Sequence, residues 1–118
     1  MLEERRRQRR ILFPFKVQIK VDGDELNDVF HTENISTGGL RIISQRKLER
    51  NTLVGVYFET NKGPIQCQGK VAWFLEIKPA EANAAMLYDI GVEFISLTSE
   101  QKIILESVLG NLRDRNIV

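Results

Sequence analysis

The chain has 118 residues and a formal net charge of +1, and 42% of its residues are hydrophobic. This length is typical of one compact domain, and no apolar run approaches the roughly 20 residues that span a bilayer. One cysteine, Cys67, excludes an intrachain disulfide, and one histidine, His31, excludes a His-based metal cluster or catalytic triad. We therefore expect a cytoplasmic domain that is not an enzyme, does not insert into a membrane, and needs no metal or cofactor.

The N-terminus carries most of the positive charge. Residues 1–16 contain six of the 17 basic residues and two of the 16 acidic ones, whereas the rest of the chain has a net charge of −3. Five arginines fall within the six residues 5–10. Each guanidinium can grip a phosphate or the O6 and N7 acceptors of guanine. We interpret residues 1–12 as a basic arm that collects a small anion, although such a segment by itself is also typical of a solvated tail.

Six strands are predicted after the arm. The first shows strict alternation of apolar and polar residues, and it is followed by an Asp-Gly-Asp turn. The predicted strands are Phe15 to Val21, Asp28 to Ile35, Leu40 to Ile43, Leu53 to Glu59, Ile65 to Leu75 and Met86 to Phe94. The apolar phase of the fifth strand favours a core position for Cys67 and Trp73, although Trp73 could instead be a stacking platform for a base. His31 is expected on a strand surface or rim.

One helix is predicted at the C-terminus. Thr98 and Gln101 form a capping box, in which each side chain satisfies a free backbone N–H group. The apolar residues that follow fall on one helical face, namely Ile104, Leu105, Val108, Leu109 and Leu112. Six short strands and one helix predict an all-β fold, a six-stranded antiparallel barrel with a C-terminal α-helix over residues 13–113. Residues 114–118 are then a tail.

A glycine-containing turn lies between the second and third strands. Its sequence is Asn34-Ile35-Ser36-Thr37-Gly38-Gly39. Glycines permit positive φ and close approach of a ligand to the backbone, and the short polar side chains organise turns. The Asn34 oxygen can accept a guanine N–H. Such a sequence taken alone is more often an ordinary turn.

Taken together, the arm and the turn resemble the PilZ domain family. That family carries an Arg-x-x-x-Arg motif before its first strand and an (Asp/Asn)-x-Ser-x-x-Gly motif before its third. Arg6 and Arg10 match the first motif, and the register of Arg5 and Arg9 also fits. We prefer Arg6 and Arg10 because the family usually has another arginine before the motif, a place that Arg5 fills. The resemblance covers about residues 4–112.

The resemblance implies a six-stranded barrel with a C-terminal helix and a receptor for the bacterial second messenger cyclic di-GMP. The expected ligand-binding residues are Arg5, Arg6, Arg10, Asn34, Ser36, Gly38 and Gly39. Arg5 before the motif implies two stacked ligand molecules per chain. A receptor of this size must act on a protein partner, in motility, biofilm or exopolysaccharide synthesis, or virulence. Asn34 departs from the commoner Asp and implies a modest affinity.

Two other functions compete with this interpretation. A small β-barrel could bind RNA or single-stranded DNA with the arginines as a backbone clamp, but such modules expose aromatic residues, and here these fall on the apolar phase. A PilZ-like module that binds only a protein partner would be expected to lack the arginines.

Overall fold

The computed structural model describes residues 15–21, 23 and 27–116, with side chains up to residue 112, Asn27 excepted. Within them the chain forms seven strands and one helix. These are β1 Lys16–Val21, β2 Asn27–His31, β3 Asn34–Ile35, β4 Gly39–Ser44, β5 Leu53–Thr60, β6 Gly63–Ile77, β7 Leu87–Phe94 and α1 Ser99–Asn116. The predicted all-β class with one C-terminal helix is confirmed. The arm and its arginines lie outside the described residues, and α1 continues to Asn116.

The strands form one antiparallel sheet in the order β2-β1-β5-β6-β7-β4-β3. Its two outermost strands, β2 and β3, are consecutive in the chain. The predicted strand from Asp28 to Ile35 is therefore two strands, and the count of six becomes seven. The sheet curls into a barrel because one short segment supplies both of its edges.

The switch between the edges takes place at Thr32 and Glu33. Thr32 donates its N–H to the Phe15 carbonyl at 2.9 Å, and its hydroxyl oxygen accepts the Phe15 N–H at 3.0 Å. The Glu33 N–H instead donates to the Arg41 carbonyl at 2.7 Å, on the other side of the barrel. A single run of residues thus leaves β1 and joins β4, and its backbone groups stay paired.

The barrel interior holds the apolar phase of each strand. Val17, Ile35, Ile42, Ile65, Val71 and Ile90 are all inaccessible to solvent. Cys67 is buried as predicted, and His31 is exposed on a strand end as predicted. The capping box of α1 is confirmed, since Gln101 N–H donates to Thr98 Oγ1 at 3.1 Å and Thr98 N–H to Gln101 Oε1 at 3.3 Å.

The helix packs against the first half of β6. Gln101 Nε2 donates to the Gln66 carbonyl at 2.9 Å, and Leu105, Val108 and Leu109 are buried in the same core as the strands. The predicted apolar face of α1 is therefore the face that packs on the sheet. No helix of the described residues is long and apolar enough to cross a membrane.

A bulge in β6 corrects one prediction. Val71 pairs with Val92 and Trp73 with Gly91, so Ala72 is an extra residue in β6. Beyond Ala72 the alternation changes face, which brings Phe74 against the core and leaves Trp73 39% exposed. The expectation that Trp73 lies in the core was wrong, because periodicity assumes an uninterrupted register.

Candidate functional site

The predicted turn is a tight hairpin between β3 and β4. The Ser36 N–H donates to the Gly39 carbonyl at 2.9 Å, and the Ser36 hydroxyl oxygen accepts the Gly38 N–H at 3.1 Å. Ser36 is only 1% exposed. Its described role is to shape the turn, as serine hydroxyls commonly do.

The second glycine of the turn, Gly39, serves close packing. Among the described residues the glycines with positive φ are Gly23 and Gly63, so the motif does not use this property as expected. Gly39 is buried, and a Cβ there would overlap the Val92 carbonyl oxygen. The Gly38 carbonyl accepts the Phe94 N–H at 2.9 Å. The turn is thus held rigidly against the end of β7.

Asn34 lies at the base of this turn and is half-buried. Its neighbour Ile35 is fully buried, so the alternation of β3 directs Asn34 to the outer face of the barrel. Its cross-strand partner there is Arg41. Residues directly opposite one another have Cβ atoms roughly 5 Å apart, so these two side chains are neighbours.

The register continues this arrangement across two further strands. Arg41 pairs with Gly91 of β7, and Gly91 pairs with Trp73 of β6. Asn34, Arg41, Gly91 and Trp73 therefore form one row on the outer face, which we call the outer row. With strands about 4.8 Å apart, the row spans roughly 14 Å.

The indole of Trp73 lies over Gly91. A Cβ on Gly91 would overlap the ring-junction atom Cε2 of Trp73 and its neighbour Nε1. Because the junction of the two rings is the part in contact, the indole covers the glycine, and 39% of the residue stays accessible. Among the described aromatic residues, only Trp73 is exposed. Sequence analysis missed it as a site residue.

Arg41 is oriented by an ion pair. Its Nε donates to Asp89 Oδ1 at 2.6 Å, and the two side chains are 36% and 15% exposed. The hydrogen bond with Asp89 raises the pKa of Arg41 above its ordinary value, and the charge of Glu33 acts in the same direction. Neither Arg41 nor Asp89 was predicted from the sequence, because β4 and β7 are far apart in the chain and only the strand pairing brings these two residues together.

A hollow of about 320 Å³ adjoins the turn on its other side. It is lined by Thr37, Gly38, Glu93, Phe94, Ile95, Leu97 and Lys102. Since Lys102 belongs to α1, this hollow connects the turn with the helix. A second hollow, about 420 Å³, lies across β1, β5 and β6 and contains none of the motif residues.

Within the described residues, no group of His, Cys, Asp and Glu side chains could hold a metal ion. Arg5, Arg6 and Arg10 lie outside the described part of the chain, so their place relative to the outer row remains a prediction.

Comparison with known proteins identifies relatives over nearly the whole chain. The model of the PilZ domain family matches residues 4–110. No curated protein matches the sequence significantly.

Solved structures share the fold at low sequence identity. The PilZ domain of YcgR from Escherichia coli, solved with c-di-GMP, is 15% identical with a TM-score of 0.72, and the match covers 94% of this chain and 93% of that one. The inhibitor of motility MotI/DgrA of Bacillus subtilis is 13% identical with a TM-score of 0.75, over 96% and 53%. The K. pneumonia MrkH-c-di-GMP complex is 20% identical with a TM-score of 0.73, over 94% and 53%. The chain thus spans about half the length of the MotI and MrkH chains.

Proposed function

Because this chain belongs to the PilZ domain family, we propose that it is a receptor for cyclic di-GMP and that it acts on a protein partner. The observation that carries the proposal is the outer row. The rigid turn holds Asn34 beside a cation and an exposed aromatic ring. A nucleotide ligand offers complements to all three, since it has guanine N–H groups, acceptor oxygens and flat base surfaces.

The arm completes this site in our proposal. Cyclic di-GMP is a dianion, whereas the described residues of the outer row include Arg41 already paired with Asp89. The positive charge that neutralises the two phosphates must therefore come from another part of the chain. Residues 5–10 supply it with five arginines. Arg6 and Arg10 hold phosphate and guanine, and Arg5 supports a second, stacked ligand molecule.

Binding is proposed to reach the helix through the turn. Thr37 and Gly38 line the same hollow as Lys102 of α1, so a change in the position of the arm on ligand binding alters the surface next to the turn and the helix. Among the solved relatives, MotI is named an inhibitor of motility and another MrkH structure is described as a c-di-GMP dependence transcription regulatory factor. Control of motility or transcription from the cytoplasm, without catalysis, is the corresponding proposal for this chain.

Isothermal titration of the full chain with cyclic di-GMP tests the receptor proposal. We expect saturable binding at two ligands per chain, and no binding of GMP at the same concentrations. Arg5→Ala is expected to reduce the ratio to one ligand per chain. One ligand per chain in both proteins would contradict the stacked pair, and no binding in the wild type would contradict the receptor.

One observation supports the alternative of nucleic-acid binding. Trp73 is exposed and not buried, so its ring could stack on a base. Single-strand binders usually present several stacking rings along a groove, whereas the described part of the chain exposes one. A short oligonucleotide in the same titration distinguishes the two functions. Tighter binding of the oligonucleotide than of cyclic di-GMP would favour this alternative.

A further inference from the structure

Arg41 occupies a position that its structural pairing alone does not explain. It lies between Asn34 and the Gly91–Trp73 pair in the outer row, on a surface where its guanidinium stays 36% exposed. A surface ion pair of this kind contributes little to stability. The pair does, however, hold one orientation of the guanidinium, because Asp89 engages its Nε.

An arginine held in this way keeps donors available. A guanidinium has five N–H donors in a fixed fork, and the hydrogen bond to Asp89 uses the one on Nε. The Nη groups therefore remain as donors on the outer face, one strand away from Asn34. These donors cannot become acceptors, because arginine stays protonated in proteins.

The chemistry of purines makes this arrangement selective. In guanine the acceptor O6 is next to the donor N1–H, whereas in adenine the donor N6–H₂ is next to the acceptor N1. An asparagine can turn its amide to meet either pattern. At the 6-position of the purine an arginine can meet only guanine, because it has no acceptor for the N6–H₂ group of adenine.

We propose that Arg41 is a specificity-determining residue of this chain, donating to the O6 of the guanine whose N–H group Asn34 accepts, and that Asp89 is its positioning residue. This inference rests on the proposed function, and it assigns the preference for guanine over adenine to residues of the barrel. The arm can hold the phosphates and the N7 acceptor, which guanine and adenine share, while the outer row rejects adenine because an N6–H₂ group would face the Nη donors.

The test compares cyclic di-GMP with cyclic di-AMP, which keeps both phosphates and both riboses. Arg41→Gln is expected to weaken cyclic di-GMP binding by about 10- to 150-fold, the loss typical of a hydrogen bond to a charged group. The affinity for cyclic di-AMP, measured by competition, is expected to rise, because the glutamine removes the Nη donors that face N6–H₂ and offers an acceptor oxygen. Arg50→Gln is the matched control, since Arg50 is exposed in the turn after β4 and should change neither affinity.

Equal losses for both ligands would show a phosphate contact, and no loss would show a purely structural ion pair. Either result overturns the proposal. A wild-type chain that does not bind cyclic di-GMP instead contradicts the receptor function itself, so the two failures are distinguishable. Thermal unfolding of each variant checks that the fold is intact, and Arg41→Lys, which keeps one charged donor, should retain most of the preference.

Two further measurements address O6 and Asp89 directly. The first uses cyclic di-GMP labelled with ¹³C at C6, bound at saturation to the wild type or to Arg41→Gln. One C6=O infrared band of the ligand should have a lower frequency in the wild-type complex than in the variant complex. Identical bands would overturn the contact even where cyclic di-AMP binds too weakly to measure. Asp89→Ala should reduce the preference for guanine, and Asp89→Asn should restore part of it because an amide oxygen still accepts from Nε.

Discussion

The indole of Trp73 lies over the backbone of Gly91, its cross-strand partner in β7. The contact exists because Gly91 has no side chain, and it places an aromatic surface on the outside of the barrel, where 39% of Trp73 is accessible. A bulge at Ala72 makes the arrangement possible by turning Trp73 away from the core. The relationship links a packing detail to the proposed ligand site.

Trp73→Ala is expected to weaken cyclic di-GMP binding by roughly 5- to 150-fold, since stacking of a base on an aromatic ring contributes about 1–3 kcal/mol. Gly91→Ala should also weaken binding, because the new methyl group displaces the indole. Leu75→Ala is the matched control, as Leu75 lies two residues along β6 and is 62% exposed. Equal affinities of the Trp73 and Leu75 variants in calorimetry would contradict the stacking role.

Gly39→Ala is expected to destabilise the fold by about 1–3 kcal/mol. A methyl group there overlaps the Val92 carbonyl oxygen, so β4 and β7 must move apart. Gly110→Ala offers the opposite case, because a Cβ on this helical glycine meets nothing within 4 Å. It should stabilise the fold by about 0.5–1 kcal/mol. Urea denaturation measures both, and a stable Gly39→Ala protein would show that the strands have room to adjust.

Arg6→Ala and Arg10→Ala are each expected to weaken cyclic di-GMP binding by roughly 10- to 150-fold. Each substitution removes a charge-assisted contact worth about 1.5–3 kcal/mol. The melting temperature of the unliganded protein should hardly change, because the arm precedes the strands that bury the core. Calorimetry of Arg10→Ala with wild-type affinity would remove this residue from the site. The same result for Arg6 together with a loss in Arg9→Ala would indicate the Arg5 and Arg9 register.

Asn34→Asp is expected to preserve or tighten ligand binding. A carboxylate accepts two guanine N–H groups more strongly than an amide oxygen does, and in the proposed site it faces the base and not the phosphates, which the arginines of the arm neutralise. Asn34→Ala, which removes the acceptor, should weaken binding. If the aspartate variant loses as much affinity as the alanine variant, then Asn34 faces a phosphate or only shapes the turn.

Cys67 is expected to resist thiol reagents in the folded protein. Burial raises the pKa of its thiol from 9.0 to about 11, because the charged thiolate is desolvated. The shift contributes stability that is fully present below pH 9 and is lost as the pH rises towards 11, since the unfolded state ionises first. Iodoacetamide labelling at pH 8, with and without denaturant, measures the reactivity. Rapid labelling of the native protein would show that the barrel opens near β6.

The sequence determined the class of fold, most of the strands and the helix. Alternation from Phe15 to Val21 and the capping box at Thr98 are local patterns, and each predicts its element without knowledge of partners. The Asn34 to Gly39 motif and its position between two strands were also readable, because the turn is shaped within a few residues by Ser36. These local features gave the PilZ resemblance, which the family model confirms.

The tertiary structure alone decided which residues accompany Asn34 on the surface. Arg41, Gly91 and Trp73 come from three strands, and they become neighbours only through the pairing of β3, β4, β7 and β6. Ala72 shows why periodicity could not predict this, since one extra residue reverses the faces of all later side chains in its strand. The split of β2 from β3 has a similar cause, because the Thr32 and Glu33 backbone groups bond to strands on opposite edges of the sheet. Strand pairing is a long-range property, and a pattern read within one strand carries no information about its partner.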